Sequence, residues 1–378
     1  MPSKARNLAK LGVTVSNISS HKPVAVTGAT PSLNVGTYNF FDHGTPTANT
    51  TVSFASVPTN ANWRYSSKIG AVTGTNWDVT TANYSNSSFD LSGQETYPQG
   101  VVFKPDGLKM YVVGANNDNV NEYDLSPAWD ISTATFLQLF SLASEESEPT
   151  GLFFKEDGLK MYIVGATGDE INQYTLSTAW DVTSATATSL FSVSGQETNA
   201  QAVFFKTDGT KMYVVGSYTA TVYEYNLSTA WDVATASYSY QSFSLVSRDT
   251  VPNGIFFRSD GLKMYILGST NNKVYEYDLS TAWSISTVTG GFAGEISIAA
   301  QDTSPSDVFF SPDGTRMFIV GANNPILYQL RVGTPTSITF PASVVGVASA
   351  RLLGDRITYE FLTADSGTTV NLIAEEKI

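Results

Sequence analysis

Five pairs of a carboxylate followed by a hydroxyl recur along this chain: Glu95-Thr96, Glu146-Ser147, Glu197-Thr198, Asp249-Thr250 and Asp302-Thr303. Oxygen ligands of this kind, gathered round one axis, are the material for holding a hard cation such as calcium. The same residues also suit a plainer task, in which each acid or hydroxyl caps neighbouring backbone N–H groups and locks one structural unit to the next. Because the pattern returns at equivalent positions, the architectural reading is the favoured one.

A second set of positions behaves in the opposite way. The interval from a recurring glycine to the next apolar residue is always the same: Gly114 to Val120, Gly165 to Ile171, Gly216 to Val222, Gly268 to Val274 and Gly321 to Leu327. Within that fixed frame the contents differ, with Asn116, Asn117 and Asp118 in one copy, Asp169 and Glu170 in the next, and Tyr218 in the third. Asn271 and Asn272, then Asn323 and Asn324, fill the last two. Constant length with varied chemistry is what a binding face on a rigid scaffold shows. Tyr97 and Tyr218 are its aromatic members. An exposed tyrosine beside Asn and Asp suits a sugar, through ring contact and hydroxyl hydrogen bonds. For any one of these residues, ordinary solvated loop chemistry is the competing reading.

Catalysis finds little material. The two histidines, His21 and His43, fall outside the repeated region, and there is no cysteine. A histidine-based triad or a thiolate metal site therefore lacks its parts. Glycoside hydrolysis needs two carboxyl groups in unequal environments, whereas the prominent acids here are equivalent. No phosphate-cradling glycine loop is present, since the glycines lie at hairpins and strand ends. The expectation is a protein that is not an enzyme and uses no cofactor, with a carboxylate-based glycan hydrolase as a remote alternative.

The elements that position these residues come from one repeated sentence. Its copies read VVFKPDGLKMYVVGA, LFFKEDGLKMYIVGA, VFFKTDGTKMYVVGS, IFFRSDGLKMYILGS and VFFSPDGTRMFIVGA, with Asp-Gly pairs starting at Asp106, Asp157, Asp208, Asp260 and Asp313. A tryptophan keeps the same beat at Trp77, Trp129, Trp180, Trp231 and Trp283. Asp-Gly supplies the positive φ of a tight hairpin, and the run after it is apolar on both faces, as in a strand sandwiched between sheets. Four strands in about 50 residues make a propeller blade. The first tryptophan precedes any Asp-Gly core and the last core has no tryptophan after it. The simplest closure therefore places residues 77–93 as the outermost strand of the blade whose inner strands come from 308–330. The fold expected is all-β: a five-bladed β-propeller over 70–333.

Residues before and after the propeller carry no trace of the repeat, yet read as alternating strands at Asn62–Ser66, Ser337–Pro341, Arg356–Phe361 and Thr369–Ile373. A small β-sandwich anchor domain over 33–69 plus 334–378, split by the inserted ring, accounts for both, since insertion succeeds when the guest's ends are adjacent. Residues 1–32 then form an N-terminal docking arm. Residues 1–41 hold Lys4, Arg6, Lys10 and Lys22 and no acid, which leaves −17 on the remainder of a chain of net charge −13. An acidic body argues against nucleic-acid binding, and the apolar runs are far short of a membrane span. The N-terminus lacks the continuous apolar core of a secretory signal, so cytoplasmic synthesis without a signal peptide is expected.

On these residues a resemblance can be stated. The strands SITFPASV and RITYEFLTADSGTTVNLI, beginning at Ser337 and Arg356, resemble a module of tailed-phage structural proteins, although there the two are nearly consecutive with what precedes them. The KMY and STAWD repeats are similar to those of phage and bacterial surface propellers. The resemblance implies a virion surface protein, held to other virion proteins through its arm and sandwich, with the propeller displayed for host attachment in the manner of a tail fibre. A host-surface glycan is the implied ligand and a homo-oligomer, a trimer by guess, the implied assembly. The alternative is a capsid fibre, decoration or tail-wall protein whose propeller is purely structural.

Overall fold

The computed structural model describes residues 75–288 and 292–334 throughout, and in the flanks ten short strands: Val24–Ala25, Ser32–Asn34, Phe40–Asp42, Thr50–Thr51, Ser53–Ala55, Asn62–Lys68, Ile338–Thr339, Val344–Val345, Arg356–Thr363 and Val370–Lys377. Most of the basic arm expected over 1–32 lies outside the described residues. The chain divides into two compact units, 74–334 and the paired flanks 1–73 with 335–378.

The larger unit is a five-bladed propeller of five four-stranded antiparallel sheets. Blade 1 runs outward through Pro98–Phe103, Lys109–Gly114, Asn119–Asp124 and Thr135–Ser141. Blades 2, 3 and 4 repeat it from inner strands Pro149–Phe154, Ala200–Phe205 and Pro252–Phe257. Blade 5 is stitched from both ends. Its inner three strands are Pro305–Phe310, Arg316–Gly321 and Ile326–Arg331, and its outermost is Asn83–Asp90, paired from Ile326 opposite Asp90 to Arg331 opposite Asn83. The backbone amides of Gly333 and Thr334 then bond the Thr81 and Thr75 hydroxyls at 2.8 and 3.0 Å, so the ring's exit lies beside its entrance.

The two repeated marks meet physically. Each Asp-Gly hairpin holds its glycine at φ between 67° and 73°, and a Cβ there would lie 2.3–2.4 Å from the indole of its own blade's tryptophan. Glycine is thus required twice, for its backbone angle and for the ring laid against it. The five tryptophans of the repeat adopt φ of 62–70°, a costly conformation for a bulky residue, fixed by a backbone hydrogen bond such as that from Trp129 N to Gly107 O at 2.9 Å. The Trp carbonyl then locks blade to blade. The Tyr111 hydroxyl donates to Trp180 O at 2.7 Å, and Tyr162, Tyr213 and Tyr265 reach Trp231, Trp283 and Trp77 in the same way. Blade 5 has Phe318 at this position and cannot make the bond. Apolar clusters fill each interface, as where Tyr111, Val113, Leu152, Ile163 and Trp180 pack between blades 1 and 2.

In the smaller unit, strands from both flanks share one six-stranded mixed sheet. Asn62–Lys68 pairs antiparallel with Arg356–Thr363, placing Lys68 opposite Arg356. The first strand after the propeller, Ile338–Thr339, pairs instead with Thr50–Thr51. The propeller therefore interrupts a unit whose two halves are hydrogen-bonded together. Those halves meet as one mixed sheet with two separate two-stranded pairs, one of Ser32–Asn34 with Ser53–Ala55. Leu33 and Phe41 are buried in this unit.

Candidate binding faces of the propeller

The repeated carboxylates Glu95, Glu146, Glu197, Asp249 and Asp302 are all buried, at 0–4% exposure. Each turns back on its own loops. Glu95 accepts the amides of Tyr97 at 2.7 Å and Asn117 at 3.3 Å, and Glu146 that of Glu148 at 2.9 Å. Glu197 accepts from the amides of Asn199, Tyr218 and Thr219 and from the Thr219 hydroxyl. Asp249 serves Val251, Thr270 and Asn271, and Asp302 serves Ser304. Glu95, Glu197 and Asp249 clamp the loop entering a blade to the loop between that blade's second and third strands, within one blade rather than across two, while Glu146 and Asp302 bond the amide two residues on in the entering loop itself. Among the described residues no three acidic or histidine side chains converge on a point where a metal could sit. This geometry favours the architectural reading: each acid accepts at least one backbone N–H of its own blade, and only Asp302 keeps a buried oxygen, Oδ2, without a hydrogen-bond partner among the ring's described carboxylates.

The same clamps bring the entering loops and the second-to-third loops to one face, as expected. Ala115 N, for example, bonds Tyr97 O at 3.2 Å. On that face Tyr218 is 75% exposed and Tyr97 36%, while Asn116, Asn323 and Asn324 are exposed and Glu170 half-buried. Several of the predicted contact residues, though exposed, hold hydrogen bonds within the molecule. Asn117 Nδ2 donates to Gln94 O at 2.7 Å, and Asn271 Nδ2 to Arg248 O at 2.8 Å. Asn116 donates to the Thr96 hydroxyl and Asn324 to that of Tyr328. Asn272, with its amide oriented to suit its neighbours, donates to the carbonyls of Ser269 and Thr303. Asp118, Asp169 and Asn272 hold φ near 50°, and their carbonyls accept the amides of Leu142, Val193 and Ile298. They are turn-formers first. Burial, and then the Glu148 carboxylate, push the Asp118 carboxyl above its usual range.

Two features escaped the sequence reading. Tyr240 stands 85% exposed on the outer strand of blade 3, with its ring 5.2 Å from that of Tyr238. The other lies on the propeller axis. A cavity of about 340 Å³ is enclosed by all five inner strands through Val102, Phe153, Phe204, Phe256 and Phe309. It opens beside the residues just before each Asp-Gly turn, on the face opposite the loops described above. Asp307 lines it too, at the position held by Gly100, Gly151, Ala202 and Gly254 in the other blades. Its carboxylate accepts the Val101 amide at 3.0 Å and its neighbour Val308's at 2.8 Å. Burial pushes its pKa up to about 7, against which those two amides pull only in part. The sequence signal was a single departure from the repeat, PSDVFF against PTGLFF and PNGIFF.

The geometry defines a five-bladed β-propeller protein with an apolar axial cavity and a clamped loop face. No protein-family model matches the chain, and none of the curated proteins does. Among solved structures the chain is similar to a functionally unknown protein from Desulfotomaculum acetoxidans, with a TM-score of 0.38, 11% identity, and 74% of this chain and 69% of that one covered. It is also similar to a candidate 6-phosphogluconolactonase from Bacteroides fragilis, at 0.39 and 13% over 74% and 71%. A third is the β-propeller domain of Cps50 (Swd1) from Myceliophteria thermophila, at 0.40 and 10% over 66% and 99%. Likenesses at this level carry no argument about function.

Proposed function

We propose that this chain is a non-enzymatic surface protein of a tailed-phage virion, with the propeller as a head for host attachment. The supporting observation is the construction of the loop face. Buried acids fix its backbone in every blade, while Tyr97 and Tyr218 project from it into solvent. A rigid scaffold with varied, exposed side chains recognises a ligand at low entropic cost. Ring faces flanked by amides suit a surface glycan. The paired flanks, interrupted by the propeller, are the anchor to other virion proteins, and several copies would supply avidity. Immunogold labelling of particles tests the placement. Label at the tail tip agrees with attachment, and label over the head shell contradicts it.

A second reading, a capsid fibre, decoration or tail-wall protein with a structural propeller, is favoured by one observation. Asn117, Asn271 and Asn324, though exposed, already hold amide hydrogen bonds to neighbouring groups of the same chain.

A further inference from the structure

The inner strands approach the axis so closely that side chains are nearly excluded at the third residue of each. A Cβ on Gly151 would lie 2.7 Å from Gln201 O, and one on Gly254 would lie 2.8 Å from Asp307 Oδ1. Glycine or alanine in four blades leaves room for one side chain in the fifth, and the chain places a carboxyl there. Asp307 is 8% exposed, and no salt bridge from a described residue reaches it. It lines the axial cavity, whose wall two residues further along each strand is Phe153, Phe204, Phe256, Phe309 and Val102.

We propose that this cavity is a binding site for a small organic ammonium, its charge against Asp307 and its apolar body against the phenylalanine ring. Two amides already bond the carboxylate oxygens, and such bonds favour the anion, while burial opposes it. A ligand that brings one positive charge resolves that opposition, and a neutral ligand does not. Four aromatic side chains round the entry path add attraction for a cation. A volume of about 340 Å³ sits at the small end of ligand cavities, which limits the body to about one ring. The acidic propeller, on a chain of net charge −13, favours the same sign of ligand. The site lies on the hairpin face, away from the glycan-reading loops, and does not depend on that reading.

The test is a calorimetric titration of the full chain, at mildly alkaline pH, with 2-phenylethylammonium and with the neutral 2-phenylethanol. The wild type is expected to bind the ammonium at least about tenfold more tightly than the alcohol, roughly 1.4 kcal/mol. Asp307→Asn is expected to abolish that preference while leaving the alcohol's affinity unchanged. Asp307→Gly, which restores the residue of three other blades, repeats the measurement with no side chain at this position; because it frees the Val101 and Val308 amides, its unfolding midpoint is measured alongside. Equal affinity for the two probes, no saturable binding of the ammonium, or a preference that survives in both variants would overturn the proposal.

Discussion

The backbone amide of Tyr218 donates to the carboxylate of Glu197 at 3.2 Å, while the tyrosine's own side chain is 75% exposed. The invariant part of the blade thus holds the variable part in place. One residue belongs to the repeat and is buried; the other belongs to a single blade and faces solvent. That division of labour leads to separable expectations for the two.

Replacing Glu197 by alanine removes the acceptor of three amides and one hydroxyl at a buried site. The expected cost is roughly 2–4 kcal/mol, because four hydrogen bonds to one carboxylate are lost together in partly buried loops. Glu197→Gln should retain part of it. Denaturant titration reads the difference. Because each acid of the ring bonds backbone N–H groups and no three of them converge, adding EDTA should leave the unfolding midpoint of the wild type unchanged. A midpoint that falls with chelator would contradict the clamp.

The blade interface offers a graded pair. Trp180→Ala empties a buried aromatic site against Gly158, Phe154 and Tyr111 and should cost roughly 3–5 kcal/mol. Tyr111→Phe removes only the hydroxyl bond to Trp180 O and should cost about 1 kcal/mol. The mildness of the second is anticipated by blade 5, where Phe318 already stands in that place. Equal losses for the two variants would mean that the indole is not the packing element.

Asp307 gives a pH dependence of defined sign. Burial raises its folded pKa to about 7, well above the ordinary range of an aspartic acid, so the folded state holds this proton more tightly than the unfolded chain does. The contribution to stability is therefore fully present below about pH 4 and is lost as the pH rises through about 7. Asp307→Asn should be more stable than the wild type near pH 8, by up to about 4 kcal/mol, and the gap should close towards pH 4. Thermal midpoints of both proteins across that range check it. A gap that widens on acidification has the wrong sign for a buried carboxyl.

The propeller was legible because its marks are local and fivefold. Asp-Gly, the apolar run after it and the tryptophan recur at nearly constant spacing, and the offset of Trp77 reveals the stitched blade. The intramolecular bonds of Asn117 and Asn271 were not legible, because their partners are the carbonyls of Gln94 and Arg248 in a different loop. Nor was the role of the acids as clamps within a blade, which depends on amides about 20 residues away in sequence. Asp307 was visible only as a departure from Gly, Gly, Ala and Gly. Its meaning depends on how closely five strands crowd one axis, a distance no single repeat encodes.

The central claim is that the loop face recognises the host. Purified chain, added to host cells before the phage, should block adsorption in a dose-dependent way. Tyr218→Ala and Tyr97→Ala should weaken that block while leaving the unfolding midpoint unchanged. Folded protein that neither binds cells nor slows adsorption would contradict the account and leave the propeller as a structural part of the particle.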